Sequence, residues 1–388
     1  MKGLESNEML PRNRNKRRLI AIIFTFLVVI LFYNFLFSNS TLDGSSILID
    51  DGSDGSNIHE IVSEYKHGIY IYNMNEPIES WWTFECIETK MTHTLNTRLC
   101  IHDTKFDQHV SGQLKQHGLW EPNNVRSFIK QMSEVPDAKV IDIGANIGLY
   151  TLIAAKFNRN VIAVEPLHDN MIRIHKAAYL ENVRANIVAL VNAVSNERKQ
   201  LNIQLVDDNI GGSFVISDGE AAIVNADNDA LTRSSVIVNS IIIDDLVDII
   251  KIKFGSKGLN GQKLKFILKV DIESYEPFAF ENATRLFEKF DVVAIYLEIG
   301  KILEKLKVYD DFNANGDEKK SKQALYSNYL SKVLNMINMF KTLNYQPYEI
   351  NGYNMIEYTQ WRHWPWDIYL RNCDSLVCPG RPFKVHGV

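Results

Sequence analysis

Charged side chains crowd the end of one apolar segment, Phe266 to Glu276, which reads FILKVDIESYE. Carboxylates packed this closely repel one another, so a fold tolerates them mainly where they act chemically or meet a cation. We predict that Lys269, Asp271 and Glu273 are catalytic residues and that Glu276 contacts a substrate. Asp271 or Glu273 could act as a general base, or could instead anchor a hydroxyl group or a divalent cation.

A glycine-rich turn, Val140 to Tyr150, reads VIDIGANIGLY and has the pattern of a strand, a tight loop and a helix start. Its glycines allow a sharp turn and close approach to a ligand, and the helix start offers free N–H groups. The dinucleotide fingerprint G-x-G-x-x-G needs a glycine where this loop has Asn146, which disfavours an NAD-dependent oxidoreductase. The predicted cofactor-binding residues of the loop are Asp142, Gly144, Ala145, Asn146 and Gly148.

Two further strand ends extend the predicted cofactor site. Asn160 to Glu165 reads as the next strand and ends in an acid, at about the 20-residue spacing where dinucleotide folds bind a ribose diol. Glu165 is therefore a predicted cofactor ligand. Ile187 to Val194 reads as a third strand, and its end adds Asn192 and Ala193 as cofactor-binding candidates.

Between Asn196 and Ser235 the chain departs from the strand–helix alternation. Gln200 to Val206 and Ser213 to Ile216 read as a hairpin around Gly211-Gly212. Irregular excursions beside a binding edge commonly carry specificity. Asp207, Asn209 and Ser213 are therefore substrate-contact candidates, with an exposed hairpin tip as the alternative.

The remaining pattern predicts an α/β fold, a Rossmann-like and mostly parallel doubly wound sheet with an antiparallel edge hairpin. Val292 to Ile299 is predicted to be the fifth parallel strand. Asn351-Gly352 indicates a tight turn that joins two edge strands. The other predicted elements are a helix at Asp169 to Asn182, a helix at Ser327 to Leu343, and edge strands at Tyr345 to Ile350 and Tyr353 to Thr359.

Four motifs together resemble the FkbM family of methyltransferases that use S-adenosylmethionine (SAM), on the class I methyltransferase fold. They are the D-x-G-A-N-x-G loop from Asp142, V-E-P at Val164 to Pro166, K-V-D-I-E-x-x-E at Lys269 to Glu276, and L-E-I at Leu297 to Ile299. The resemblance covers roughly Val135 to Gly300 and continues loosely into Trp364 to Arg371. One departure is Ser274, where the family usually has glycine.

The resemblance implies SAM as cofactor and O-methylation of a sugar, polyketide or related hydroxylated acceptor. We expect a glycan or glycoconjugate hydroxyl. The alternatives are a lipid or small-molecule methyltransferase, and a SAM-fold binding or scaffold protein without turnover. Methyl transfer depends mainly on holding oxygen and methyl carbon aligned, and a general base assists because a sugar hydroxyl is barely ionised at neutral pH.

The N-terminus carries an apolar segment, Leu19 to Phe37, that is long enough to span roughly 28 Å as a helix. Basic residues precede it, and the next one after it is Lys66, so the positive-inside rule keeps the N-terminus cytoplasmic. The rival is a cleaved signal peptide. We expect a single-pass type II signal anchor in the Golgi or endoplasmic reticulum. The predicted divisions are a tail at 1–18, the anchor at 19–37, a stalk at 38–58, an accessory lumenal segment at 59–134 and the methyltransferase domain at 135–388.

Composition narrows the remaining possibilities. The net charge of −5 offers no general attraction to nucleic acid.

Close spacing favours the disulfides Cys86–Cys100 and Cys373–Cys378, although sequence alone allows three pairings. No metal site is predicted, because Asp311 to Gly316 begins like a calcium loop but has Lys322 where glutamate is needed. Asn39 and Asn282 begin glycosylation sequons.

Three tryptophans, Trp361, Trp364 and Trp366, crowd a short segment before Ile368 to Leu370. Flat aromatic faces suit the apolar face of a sugar ring, but aromatic side chains at a sheet edge more often serve packing. The sequence favours packing for this group.

Overall fold

The computed structural model describes residues 62–90, 95–206, 209–216, 235–310, 317–350 and 354–380. Its strands are, in chain order, β1 (Val62–Glu64), β2 (Tyr70–Tyr72), β3 (Cys86–Lys90), β4 (Asn96–Cys100), β5 (Lys139–Ile143), β6 (Val161–Val164), β7 (Ile187–Leu190), β8 (Ala193–Val194), β9 (Gln200–Gln204), β10 (Phe214–Ile216), β11 (Ser235–Ile241), β12 (Lys265–Val270), β13 (Asp291–Glu298), β14 (Tyr345–Glu349) and β15 (Asp367–Asn372). Its α-helices are α1 (Gln113–His117), α2 (Pro122–Glu134), α3 (Leu149–Lys156), α4 (His168–Leu180), α5 (Leu246–Phe254), α6 (Glu276–Ala279), α7 (Thr284–Lys289), α8 (Gly300–Asp310) and α9 (Asp317–Thr342).

The main sheet has the strand order β1-β2-β7-β6-β5-β12-β13-β15-β14. Its five central strands, β7 to β13 in that order, run parallel. Strands covered by helices on both faces need continuous apolar runs, and β6 (VIAV) is buried along its whole length. The predicted parallel strands, including Val292 to Ile299 as the fifth, are confirmed.

The chain order reverses between β5 and β12, which lie side by side with Ile143 opposite Val270. In an open α/β sheet, such a reversal leaves a crevice at the carboxyl ends of the two strands. The glycine loop follows β5, and the acidic segment follows β12. The topology therefore brings the two predicted motifs together at one edge of the sheet.

Antiparallel strands close both ends of the sheet. β2 pairs with β7 at one end, and β15 lies between β13 and β14 at the other. The prediction that Tyr353 to Thr359 forms the second strand of an edge hairpin is wrong. Its described part meets β14 through the single bridge Tyr348–Met355 and continues into the 3-10 helix Tyr358–His363. The later strand β15 takes the place beside β14, because its apolar residues Ile368, Tyr369 and Leu370 are fully buried there.

A second, smaller sheet has the order β10-β9-β11-β8. The predicted hairpin is confirmed, since β9 and β10 pair antiparallel with Phe214 opposite Gln204. The segment predicted as one strand from Ile187 to Val194 divides into β7 in the main sheet and β8 in the smaller one. The chain thus passes from the main sheet into the smaller sheet between Leu190 and Ala193.

Helices cover both faces of the main sheet, which confirms the doubly wound layers. Alternate residues of one strand face opposite cores: Val140 joins the cluster with α3 and α4, whereas Ile141 joins the cluster with α5 and α9. Helix α9 begins at Asp317, before the predicted start at Ser327. Its residues Ile337 and Phe340 are buried, as expected from the pattern.

Both expected disulfides are present, Cys86–Cys100 and Cys373–Cys378. The first joins directly opposed residues of β3 and β4, and the second lies just beyond β15. Each bond links neighbouring parts of the chain and therefore fixes local geometry rather than the sheet order.

Within the described ranges, no helix is long and apolar enough to cross a membrane. The predicted anchor at Leu19 to Phe37 lies outside those ranges. The substrate candidate Asp207 and the Asp311 to Gly316 segment also fall outside them. The division of residues 59–388 into an accessory segment and a methyltransferase domain stays a prediction, and β1 and β2 extend the main sheet.

Candidate active site

The glycine loop is held against the neighbouring strand by backbone hydrogen bonds. The N–H groups of Gly144 and Ala145 both donate to the carbonyl oxygen of Val164, at 2.9 and 3.1 Å. The N–H of Asn146 donates to Glu165 Oε2 at 2.8 Å. The loop therefore takes its shape from the end of β6 as well as from its own glycines.

Gly144 occupies a position that no other residue type can fill without rearrangement. Its φ is +79°, and an added Cβ would lie 1.8 Å from the backbone oxygen of Asp271. Gly148 is also left-handed, with φ +92°, and an added Cβ there would lie 2.9 Å from Ile174. These two positions explain the glycine spacing of the motif: the first allows the two site-forming loops to touch, and the second allows α3 to pack on α4.

Glu165 is almost completely buried at the end of β6. Its Oε1 accepts hydrogen bonds from the Leu167 N–H and the Asn170 side chain, at 3.0 and 3.1 Å. Burial raises the pKa of Glu165 to about 7, although these hydrogen bonds act in the opposite direction. A carboxylate can accept more hydrogen bonds than Glu165 receives here, so the side chain keeps capacity for a ligand diol.

A cavity of about 610 Å³, here called the main cavity, opens at the carboxyl ends of β5, β6 and β12. Predicted site residues that line it are Gly144, Asn146, Glu165, Asn192, Ala193, Ser213, Asp271 and Glu273. The sequence therefore identified much of this wall, from five separate parts of the chain.

Asn192 lines the main cavity, but its side chain serves the scaffold. Its Oδ1 accepts the Tyr70 N–H at 2.8 Å, and its Nδ2 donates to the carbonyl oxygens of Gly68 and Asn239. Both amide hydrogens are thus in use, and Asn192 joins β2 to β11. The neighbouring Ala193 offers a small apolar surface to the cavity.

The tip of the β9–β10 hairpin folds over the glycine loop. Gly211 lies so close to Asn146 that an added Cβ would sit 2.5 Å from its Nδ2. Ser213 lines the main cavity, and its Oγ donates to the Ile210 carbonyl at 2.7 Å. Asn209 instead accepts the Gly212 N–H at 3.0 Å and caps the turn, so it holds the tip in place.

Three carboxylic acids, Asp271, Glu273 and Glu298, form what we call the carboxylate cluster. Carboxylate oxygens of the three residues lie within 4.8 Å of one another. Burial raises the pKa of Glu298 to about 10, with added repulsion from Asp271 and Glu273. Glu298 is therefore protonated at neutral pH and donates a hydrogen bond to Asp271.

Lys269 fixes the ionised member of this cluster. Its Nζ donates to Asp271 Oδ2 at 2.7 Å and lies 4.9 Å from the centre of the Tyr150 ring. Burial alone would raise the pKa of Asp271, but the ammonium group of Lys269 holds it below its usual range. Lys269 does not itself line the main cavity. Its contacts are those of a positioning residue.

Glu273 is the cluster member nearest to titration at neutral pH. Burial, together with the charge of Asp271, raises the pKa of Glu273 to about 7, while Lys301 Nζ lies 3.6 Å from its Oε2. A base works best when its pKa is close to the working pH. Glu273 combines that property with a place on the cavity wall.

Two further predicted site residues lie beneath the site, as Lys269 does. Asp142 is buried and accepts a hydrogen bond from Thr151 Oγ1 at 2.6 Å, which joins β5 to α3. Glu276 is fully buried, its Oε1 accepts the Ile272 N–H at 2.9 Å, and burial raises its pKa to about 8. Neither lines the main cavity. Both support the loops that do.

The turn after β12 contains two consecutive left-handed residues, Glu273 with φ 55° and Ser274 with φ 72°. This backbone shape favours glycine, the residue that the resemblance implies at position 274. Ser274 adopts the same shape with a side chain, at a cost of about 1 kcal/mol. Its carbonyl oxygen accepts a hydrogen bond from Tyr329 Oη at 2.7 Å, which helps to hold the turn.

Glu298 was missed as a site residue, although a signal existed. It is the last residue of β13, the strand beside β12, and it stands in the L-E-I motif noted above. Because β13 runs parallel to β12, a carboxylate at the end of β13 lies at the same edge of the sheet as Asp271. The neighbouring strand end could therefore have been added to the site from the strand order alone.

The sheet order, the loop after β5 and the acid at the end of β6 define a class I methyltransferase-type fold. The model of the methyltransferase FkbM domain matches residues 142–346, more than half of the chain. The chain therefore belongs to the FkbM methyltransferase family. No curated protein and no solved structure matches the chain significantly.

Proposed function

We propose that this methyltransferase uses SAM to methylate a hydroxyl group of a glycan or glycoconjugate. The observation that carries the proposal is the position of Asp271 and Glu273, which line the same cavity as Glu165 and the glycine loop. One cavity thus combines groups suited to a nucleoside with groups suited to a reacting hydroxyl.

The charges around the main cavity favour a sulfonium cofactor over a dinucleotide. Glu165, Asp271 and Glu273 line it, and no lysine, arginine or histidine is among its described lining residues. A pyrophosphate would meet carboxylates, whereas the positive sulfur of SAM would be attracted to them. This supports the sequence argument from Asn146 against NAD.

The remaining wall suits the other parts of SAM. Glu165 can accept hydrogen bonds from a ribose diol, and the buried Asn146 Oδ1 has no donor among the described residues. Apolar side chains offer room for an adenine ring between the two sheets: Leu167, Ile203, Val215 and Tyr275. These residues would hold SAM.

SAM supplies an electrophilic methyl group and a neutral thioether leaving group. The protein then needs to orient the acceptor oxygen and to take its proton. Glu273 is the proposed proton acceptor, because its pKa of about 7 matches the task. Asp271, fixed by Lys269, accepts a hydrogen bond from the acceptor hydroxyl and so orients it.

The proposed compartment is the lumen of the Golgi or endoplasmic reticulum. Leu19 to Phe37 serves as a type II signal anchor in this proposal, with the basic residues before it on the cytoplasmic side. The disulfides Cys86–Cys100 and Cys373–Cys378 support an oxidising compartment. Glycans are abundant hydroxyl acceptors in that lumen.

Calorimetry of the full-length protein with SAM, followed by mass spectrometry of a glycan pool after incubation, tests the proposal. We expect SAM binding and a mass increase of one methyl group on a glycan. No SAM binding would refute the cofactor assignment. Binding without transfer to glycans, but with transfer to lipids or small hydroxylated molecules, would move the acceptor to that class. Binding without any transfer would indicate a SAM-binding scaffold.

A further inference from the structure

A second depression is lined by Trp366, whose indole N–H donates to Glu298 of the carboxylate cluster. We call it the tryptophan groove. It lies between the start of α2 and the start of β15. Its polar and aromatic lining residues are Glu121, Asn123, Asn124, Glu349, Trp366 and Asp367.

Trp366 is the exposed aromatic surface of this groove. It is 46% exposed, whereas Trp364, two residues earlier, is 5% exposed and packs in the core. One side of its indole rests on the backbone of Gly300, where an added Cβ would lie 2.2 Å from the ring. Its Nε1 donates to Glu298 Oε1 at 2.6 Å. The ring is therefore held in a fixed orientation while much of its surface remains open.

Two paths of contacts connect the groove to the carboxylate cluster. The first is the hydrogen bond from Trp366 to Glu298, a cluster member. The second runs from Lys269 over the Tyr150 ring to Glu121, which accepts the Tyr150 hydroxyl at 2.6 Å. Glu298 thus links the lining of the groove to Asp271 and Glu273, which line the main cavity. A hydroxyl group of a ring held on Trp366 would extend toward this cluster.

The polar groups of the groove are hydrogen-bond acceptors and amides. Glu121, Glu349 and Asp367 supply carboxylates, and Asn124 donates a hydrogen bond to Asp367. No basic side chain is among the described residues that line the groove. Lys301, which lies 5.8 Å from the Trp366 ring centre, faces Glu273 at 3.6 Å. An anionic ligand would be repelled here, whereas neutral hydroxyl groups would find acceptors.

From this arrangement we infer that the tryptophan groove is the acceptor site and binds a neutral pyranose ring, with the apolar face of the ring on Trp366. The inference rests on the proposed function and narrows its acceptor to uncharged sugar residues. A sugar ring has one face rich in C–H groups and an edge of hydroxyl groups. A fixed indole beside several carboxylates matches both surfaces.

Binding of simple sugars without SAM tests the inference directly. Saturation-transfer NMR on the full-length protein would use the methyl β-glycosides of glucose, galactose, mannose and N-acetylglucosamine, with the glucuronide and galacturonide as charged counterparts. We expect at least one neutral glycoside to bind, and its uronate counterpart to bind at least tenfold more weakly. No binding by any neutral glycoside, or equal binding of the uronates, would overturn the inference.

Substitution of Trp366 tests its role in this binding. Trp366→Ala should lower the affinity for the glycoside at least tenfold. Trp366→Phe should lower this affinity less, because a flat ring remains. Trp81→Ala is the matched control, since Trp81 is 55% exposed and lies outside the groove. Unchanged affinity in Trp366→Ala would refute the site. The affinity for SAM, measured by calorimetry, should stay the same in all three variants.

Turnover separates this inference from the proposed function. With an active acceptor, Trp366→Ala should raise the KM for the acceptor at least tenfold and leave the KM for SAM unchanged. Sugar binding through Trp366 without any methyl transfer would support the groove and contradict the enzyme. Methyl transfer to a glycan with an unaltered acceptor KM in Trp366→Ala would support the enzyme and contradict the groove.

Discussion

The glycine loop and the carboxylate cluster touch at Gly144 and Asp271, but different forces hold them. The loop is fixed by backbone hydrogen bonds from Gly144, Ala145 and Asn146 to the end of β6. The cluster is fixed by buried charges, with Lys269 ionised beside Asp271 and a protonated Glu298 next to them. The loop should therefore be sensitive to added atoms, and the cluster should be sensitive to protons and to changes of charge.

The largest effect is expected for Gly144→Ala. The added Cβ would lie 1.8 Å from the Asp271 carbonyl oxygen at a φ of +79°. Backbone strain and overpacking together should cost about 3–5 kcal/mol of unfolding free energy. The affinity for SAM should fall by a factor of about 100 or more. This loss is about 2.8 kcal/mol of binding free energy, because 1.4 kcal/mol corresponds to a factor of ten. Urea unfolding and calorimetry measure the two effects.

Gly118→Ala is the matched control, because Gly118 has φ +73° with open space around an added Cβ. It should lose only about 1 kcal/mol from the backbone strain. Equal losses in the two variants would show that the contact with Asp271 contributes nothing.

Glu273→Gln should lower kcat by a factor of roughly 10²–10³, the range for loss of a general base. In the wild type, kcat/KM should rise with pH through an apparent pKa near 7, as Glu273 loses its proton. That rise should disappear in the variant. A full rate, or an unchanged pH profile, would contradict the role of Glu273.

The same pKa predicts an effect on stability, measured by thermal unfolding across pH. The pKa of Glu273 is raised in the folded state, so its contribution to stability is present at low pH and is lost as pH rises through about 7. Glu273→Gln should therefore gain stability relative to the wild type as pH rises from about 4.5 to 7, with a constant difference above that range. A constant difference at all pH values would show that Glu273 titrates normally.

Asp271→Asn should destabilise the protein by about 3 kcal/mol, because it leaves the buried ammonium group of Lys269 without its charged partner. Glu85→Gln is the control: the Lys115–Glu85 pair has the same 2.7 Å distance, but both side chains are 51% exposed. That change should cost less than about 1 kcal/mol. Urea unfolding of both variants decides whether burial, rather than distance, sets the strength of the cluster.

The smallest effect is expected for Ser274→Gly, which restores the residue common in the family. Relief of the left-handed strain at φ 72° should stabilise the fold by about 0.5–1 kcal/mol. Ser274→Ala removes the hydroxyl group but retains the strain, so its stability should change little. Thermal unfolding distinguishes them, and equal stabilisation by both would point to the hydroxyl group instead.

Local patterns were sufficient for the parts of the fold that depend on neighbouring residues. Apolar runs located the parallel strands, and short separation indicated both disulfides. The edge hairpin was wrong because Asn351-Gly352 is a turn signal that says nothing about distant competitors. β15 pairs with both β13 and β14, and its burial between them outweighs the local preference of Tyr353 to Thr359.

The sequence by itself determined the residue types of the site: the glycines that allow close approach, the acid after β6, and the acids after β12. It did so because each motif is a short run with its own backbone requirement. Only the tertiary structure decided which of these residues face the cavity. Asp142, Lys269 and Glu276 lie beneath it, Glu298 joins the cluster from the neighbouring strand β13, and Trp366, just before β15, donates to Glu298. The physical reason is that charge, burial and pKa depend on neighbours in space, which the order of strands in the sheet sets.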